Sequence, residues 1–231
     1  MRIAVFGANG PSGRLLTGQA LAAGHQVVAI TRQPNSFPLH HERLDVVRAD
    51  VLDPKAVDAA VAETDAVLST LGVPAGKELI TTYSRGVANI VAAMKRHRVL
   101  RVAVVSSSAV DPHPYSEGGF LFNRVVLPYV TRVLGKTMYD DMRRMEAIVR
   151  ASDLDWTILR PSALYHLPSA THYTVVEGHA DGRFTARVDL AASMLALLDD
   201  DRYVRTTLGV ITTVDNPTLL RWIRSEALAR S

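Results

Sequence analysis

The chain has no cysteine. That excludes disulfides, thiol catalysis and thiolate metal sites, and it agrees with a cytoplasmic location. No apolar run approaches the ~20 residues that a bilayer-spanning helix needs, so no membrane partner is expected. No secretory leader is expected either, because the apolar start at Ile3 runs directly into a glycine turn that the fold needs. Charge is not massed. The net charge is +3 and the arginines are scattered, without the basic stripe or reading motif of a nucleic-acid surface. None of the eight histidines forms a helical metal pair, so no metal is expected. His166 alone falls near the cleft anticipated below. No linker, repeat or low-complexity tract divides the sequence. What remains is 231 residues with an ordinary apolar fraction of 48%, enough for one sizeable core and a single α/β domain over 1–231.

The most informative stretch is the first, MRIAVFGANGPSGR. Ile3 to Phe6 is too short for a helix and β-branched enough for a buried strand. Gly7, Gly10 and Gly13 follow, and then Leu15, Leu16, Ala20 and Leu21 recur at helical spacing up to Gly24. The glycines therefore sit where a strand turns sharply into a helix. Such a turn aims backbone N–H groups and the positive end of a helix dipole at one point, which suits a pyrophosphate. Glycine allows the tight turn and the close approach of the phosphate.

His25 to Thr31 reads as a second strand. An NAD site has an acid at the end of this strand to accept from the ribose hydroxyls. Here Thr31-Arg32 stands there, and the nearest downstream acid is Glu42. An arginine fork suits a 2′-phosphate instead, which predicts NADP(H) as cofactor. Asp45 to Ala49 reads as a third strand, with Asp50 and Val51 placed to take an adenine. Asp53-Pro54 reads as a helix cap with proline at the first helical position. Ala66 to Ser69 is a fourth strand, and Thr70-Leu71-Gly72 is a loop at its carboxyl end. A helix over about Ile80 to Arg96 has Tyr83, Val87, Ile90, Val91 and Met94 on its core face.

Val102 to Val105 is a strand ending in Ser106-Ser107-Ser108. These serines are placed either to hold a ligand at the cleft or to cap the next turn. Asp111 to Gly119 reads as a loop over the site. Phe120 to Leu134, interrupted by Pro128, is predicted as a kinked helix beneath it. A helix over Tyr139 to Ser152 and a strand over Asp155 to Leu159 lead to Arg160-Pro161-Ser162. Strands at Tyr173 to Val176 and Arg205 to Thr213 flank a helix at Asp189 to Leu198. A closing helix from Asn216-Pro217 has Leu219, Leu220, Ile223 and Leu228 along one stripe.

With GANGPSGR, the Thr31-Arg32 ending, ADVLD, VLSTLG, GVANIVAAMK, VAVVSSSAV and DWTILRPSAL in this order, the chain resembles an atypical short-chain dehydrogenase/reductase. Within that superfamily it is similar to the NAD(P)-binding, NmrA-like group, and most of all to the biliverdin-IXβ reductase/flavin reductase type. The resemblance implies a Rossmann-like, doubly wound and mostly parallel sheet, with NADPH along the carboxyl ends of its strands. Gly7, Asn9, Gly10, Pro11, Ser12 and Gly13 would hold the pyrophosphate, and Thr31 with Arg32 the 2′-phosphate end. Asp50 and Val51 would take the adenine, and Thr70, Leu71 and Gly72 the ribose. Ser106, Ser107, Arg160, Pro161 and Ser162 would hold the nicotinamide end.

The catalytic half of the pattern departs from the family. In place of Tyr-x-x-x-Lys stands Tyr139-x-x-x-Arg143, and arginine does not exchange protons at neutral pH. The two histidine positions of the flavin-reductase type read Met142 and Ala163. Candidate proton donors are Ser107, Ser108, Tyr139 and Tyr165. The expected function is an NADPH-dependent reductase of a small conjugated or carbonyl molecule, flavin-, quinone- or ketone-like. The alternative is a non-catalytic NADP(H)-binding redox sensor. Monomer and homodimer are both left open.

Overall fold

A computed structural model describes residues 1–74, 78–111, 113–116, 119–218, 221–222 and 224. The expected stripe of Leu219, Leu220, Ile223 and Leu228 lies outside these, as do Pro112, Glu117 and Gly118 of the loop over the site.

The central strands form one sheet because their apolar residues alternate between two covered faces. In β1 (Arg2–Phe6), Ala4 and Phe6 enter one core while Ile3 and Val5 enter the other, the period-2 pattern of a strand buried on both sides. The remaining strands are β2 (Gln26–Thr31), β3 (Leu44–Arg48), β4 (Ala66–Ser69), β5 (Arg101–Val105), β6 (Asp155–Pro161), β7 (Ala163–Tyr165), β8 (Tyr173–Glu177), β9 (Phe184–Ala186) and β10 (Thr206–Thr212). The main sheet runs β3-β2-β1-β4-β5-β6-β10-β8. Every pair in it is parallel except β8, which runs antiparallel to β10.

Helices α1 (Pro11–Ala22) and α7 (Arg187–Ala196) pack together on one face, and α2 (Pro54–Val61), α3 (Thr82–His97) and α6 (Lys136–Arg150) on the other. The doubly wound fold expected from the sequence is therefore the one observed. Asp53 caps α2 as anticipated, accepting from Lys55 N and Ala56 N at 2.9 and 3.3 Å. The start of α3 is capped from outside. Its N-cap, Thr81, makes no side-chain cap. Instead the buried carboxylate of Asp141 on α6 accepts from Tyr83 N, Ser84 N and Ser84 Oγ.

Two features were not anticipated. β7 and β9 form a separate two-stranded parallel sheet. The stretch 119–134 is helical throughout, but it alternates α4 (Gly119–Leu121) and α5 (Leu127–Tyr129) with π-helical turns at Phe122–Val126 and Val130–Leu134. Asn123 of this stretch bonds Tyr115 of the preceding loop, while Phe120, Val125, Tyr129 and Val133 are exposed. Among the described residues no helix is long and apolar enough to cross a membrane.

Candidate cofactor and substrate site

The strand order reverses between β1 and β4, and a doubly wound sheet opens a crevice at the carboxyl ends of such a pair. The glycine turn lies there. Gly7 has a φ of +75°, and a Cβ on it would stand 2.7 Å from the carbonyl oxygen of Thr70. Thr70 in turn donates its N–H to Phe6 O at 2.9 Å, so the loops after β1 and β4 are drawn together. A Cβ on Gly13 would stand 2.2 Å from Gly7 O, and its absence lets α1 abut the turn. Gly10 is the extended N-cap of α1, with Pro11 behind it and no acid in the first turn. The first N–H groups of a helix have no intrahelical acceptor, so those of Ser12 and Gly13 face the crevice as anion donors. This cradle fits a pyrophosphate.

The end of the crevice expected to take the adenosine is built by β2 and β3. Thr31 is buried, and its Oγ1 accepts from Gln33 N at 3.1 Å. Arg32 is exposed and has no ion-pair partner among the described residues. Asn9 Nδ2 donates to Ser36 Oγ at 3.1 Å and ties the glycine turn to the segment after β2. Asp50 accepts from Leu52 N at 2.9 Å and remains exposed, while Val51 is buried. Gly86, which the sequence presents as an ordinary helical glycine, meets Val51. A Cβ there would come within 2.8 Å of the valine, and 3.4 Å from Leu71. Its absence lets α3 approach the loops that follow β3 and β4. A glycine in mid-helix costs about 1 kcal/mol against alanine, and that cost was the available signal. Around Gly72 a Cβ would meet nothing within 4 Å.

At the carboxyl ends of β5 and β6 the three serines have separate partners. Ser106 Oγ donates to Glu146 Oε1 at 2.7 Å, Ser107 Oγ accepts from Ala109 N at 3.2 Å, and Ser108 Oγ lies 3.1 Å from Tyr115 Oη. Arg160 grips Glu146 through Nε at 2.9 Å and Nη2 at 2.7 Å. Burial alone would raise the Glu146 carboxyl. The bonds from Arg160 and Ser106 and the charges of Arg160 and Arg150 outweigh it and hold the group below its ordinary range. Ser162 Oγ donates to Gly182 O at 2.6 Å, and Pro161 closes β6.

Of the candidate donors, Ser107 and Ser108 stand at this end. Tyr139 packs against Gly135. Burial and the neighbouring Tyr115 push its phenol above the ordinary value, the opposite of what a Tyr-x-x-x-Lys pair does. Arg143, at the lysine position, is engaged with Val110 O and Asp140, each at 2.8 Å. Tyr165 lies in a different cluster with Phe184 and Val188, and its hydroxyl donates to Val214 O at 2.8 Å. The structure thus brings Ser108 together with Tyr115, which sequence reasoning missed because it sits in a Pro- and Gly-rich loop. Asn123 clamps Tyr115 through both its N–H and its carbonyl, at 3.0 and 2.9 Å. A cleft of ≈ 480 Å³ opens beside Tyr115, lined also by Asp181, Arg183, Phe184 and Thr212. His179 and His113 stack nearby, ring centres 4.4 Å apart. Burial, and then the adjacent His113, lower the pKa of His179.

Comparison with known proteins agrees with this geometry. Residues 7–201 match the family model described as NAD(P)H-binding. Oxidoreductase AgnL4 of Paecilomyces divaricatus is 25% identical over 236 residues, 91% of this chain and 85% of that protein. An uncharacterized Mycobacterium tuberculosis protein is 38% identical over 108 residues, 46% of this chain but only 12% of that protein's length. Among solved structures, a short-chain dehydrogenase/reductase from Veillonella parvula in complex with NADP superposes with a TM-score of 0.78. It is 22% identical, with 94% of this chain and 99% of that one covered. ChuY, an anaerobilin reductase from Escherichia coli O157:H7, gives 0.71 at 20% identity, over 94% and 100% of the two chains. At these identities the structural likeness shows a shared fold.

Proposed function

The chain belongs to the NAD(P)H-binding family, and from that premise we propose that it is an NADPH-dependent reductase of a small conjugated or carbonyl molecule, flavin-, quinone- or ketone-like. The observation that carries the proposal is the glycine cradle at the β1–β4 crevice, followed by Arg32 where an NAD site would have an acid. Gly7, Gly10 and Gly13 admit the pyrophosphate. Arg32 meets the 2′-phosphate with a charge-assisted fork. Asp50, Val51 and Gly86 frame the adenine, and Leu71 and Gly72 the ribose.

When bound, a reduced nicotinamide supplies a hydride. The chain then has to place an acceptor and stabilise its developing charge. Ser108 and Tyr115 offer a hydroxyl pair at the carboxyl end of β5, and Tyr115 also lines the adjoining cleft where the acceptor would sit. Ser106, Glu146 and Arg160 hold that end of the sheet rigid beneath them. The likeness to ChuY, a reductase, and to AgnL4, an oxidoreductase, favours this reading over a sensor.

The test is NADPH consumption by the purified protein against flavins, quinones and aldehydes, with cofactor binding followed by nicotinamide fluorescence. Turnover with NADPH in preference to NADH is expected. Arg32→Ala should weaken NADPH by about 1–3 kcal/mol and spare NADH. Tight binding without turnover on any acceptor would replace the enzyme with the sensor. Equal binding of the two cofactors would overturn the role of Arg32.

A further inference from the structure

Two arginines without an ion-pair partner among the described residues stand at the proposed adenosine end of the crevice. The first acid in the chain is Glu42, so the stretch that builds β1, the glycine turn, α1 and β2 contains arginines but no carboxylate. Of its three arginines, Arg2 pairs with Asp45 on β3 at 2.9 Å. Arg14 and Arg32 have no carboxylate partner among the described residues. Both are exposed and stand on adjoining segments, where one anion could meet two guanidinium groups.

Arg14 is also held in position. It lies in the first turns of α1, immediately after Gly13, and its Nε donates to Asn9 Oδ1 at 3.0 Å. Asn9 uses its other end to donate to Ser36 Oγ at 3.1 Å, and Ser36 Oγ donates to Gln33 O at 3.0 Å. The chain of bonds runs Arg14, Asn9, Ser36, Gln33. It fastens a side chain of α1 to the turn that follows β2, where Arg32 stands. The register agrees, since Phe6 pairs with Ile30 and Ala8 N donates to Ile30 O at 3.3 Å. Because Nε is spent on Asn9, both terminal nitrogens of Arg14 are left to donate, and the planar fork is already oriented. That geometry suits bidentate recognition of a phosphate, which a lysine would not reproduce.

We infer that Arg14 is the second arginine of the 2′-phosphate site, pre-positioned by Asn9, and that with Arg32 it makes this chain select a 2′-phosphorylated adenosine. The inference rests on the proposed use of NADPH and adds to it a specificity-determining residue that the fingerprint glycines do not reveal. It also gives Asn9 a positioning role: the amide steers a guanidinium as well as bracing the turn.

The experiment is a set of dissociation constants by calorimetry for NADPH, NADH, 2′,5′-ADP and 5′-AMP, on the wild-type chain and on Arg14→Ala, Arg14→Lys and Asn9→Ala. The adenosine fragments report the subsite without any acceptor or turnover. Arg14→Ala is expected to weaken NADPH and 2′,5′-ADP by about tenfold, the low end for a charge-assisted bond at an exposed site, while NADH and 5′-AMP stay within about twofold. Arg14→Lys should recover only part of the loss, and Asn9→Ala should lose affinity in the same selective sense. The inference is overturned if Arg14→Ala leaves the ratio of NADPH to NADH unchanged while Arg32→Ala reduces it; the NADPH reading would then survive. If the wild-type chain fails to prefer NADPH and 2′,5′-ADP at all, both fall together.

Discussion

Replacing Glu146 with glutamine should expose how the carboxyl ends of β5 and β6 are held. The carboxylate is 1% exposed. It receives Ser106 Oγ at 2.7 Å, Arg160 Nε and Nη2 at 2.9 and 2.7 Å, and Arg150 Nη2 at 2.9 Å. Glutamine keeps one acceptor oxygen and turns an amide N–H₂ toward the guanidinium of Arg160, whose side chain is only 13% exposed. At least one charge-assisted bond is lost, each worth about 1.5–3 kcal/mol. A cation is left buried against a second donor, and breaking a buried pair in this way costs about 3–5 kcal/mol. Set against a total stability of about 5–15 kcal/mol, Glu146→Gln should fold but melt early.

Urea unfolding at pH 7 measures the loss directly, and repeating it across acid pH separates the charge from the shape. The folded carboxyl titrates below its ordinary range. Its contribution is therefore complete above about pH 4.3, the unfolded value, and disappears as pH falls through the depressed folded value. In Glu146→Gln that part of the acid limb should be missing. A loss below about 1 kcal/mol, or an acid limb identical to wild type, would refute the assignment of Glu146 as the charged anchor of Arg160.

Other perturbations separate the parts of the site. Gly13→Ala must displace the turn, since the new methyl would stand 2.2 Å from Gly7 O; NADPH affinity by fluorescence should fall by about a hundredfold, the scale of an ångström-sized misplacement. Tyr115→Phe removes the hydroxyl facing Ser108. It should lower kcat by about a hundredfold and leave the NADPH dissociation constant unchanged, and an equal loss in both would point to a folding role. Asp141→Ala strips the cap from α3, with an expected cost of about 2–4 kcal/mol in urea unfolding. Amide exchange should then accelerate at Tyr83 and Ser84 before the rest of the helix.

The parts of the protein legible from the sequence are those whose physics is local. Ile3 to Phe6 could hardly be anything but a covered strand, and Gly7, Gly10 and Gly13 between it and a helical period mark a phosphate turn. Asp53-Pro54 announced its cap. The β7–β9 pair was invisible because three-residue strands leave no period to read, and their pairing joins residues far apart in the chain. In the stretch 119–134 the helix was legible but its π-helical turns were not, for a related reason. Pro128 and the wider π turns break the 3.6-residue spacing, so its apolar residues fell on no single α-helical face. Tyr115 and Gly86 matter through what they meet in space, Ser108 in one case and Val51 in the other, and spacing along the chain says nothing of either meeting. Glu146 looked like one more charge on an amphipathic helix. Only the fold shows that it is buried beneath Arg160.

Ser106, Ser107 and Ser108 are identical letters in a row, yet each has a different chemical obligation. A library varying them one at a time should return three unlike tolerance profiles. Position 106 needs a small donor to a buried carboxylate. Aspartate, with acceptors only, would set two anions against each other there. Position 107 needs an acceptor for Ala109 N–H, so aspartate, asparagine and threonine should serve. Position 108 has only a phenol hydroxyl opposite, so alanine there should still fold while changing what the cleft accepts. A tract that looks like low-information repetition is therefore three positions with separate partners, a buried carboxylate, a turn amide and a phenol.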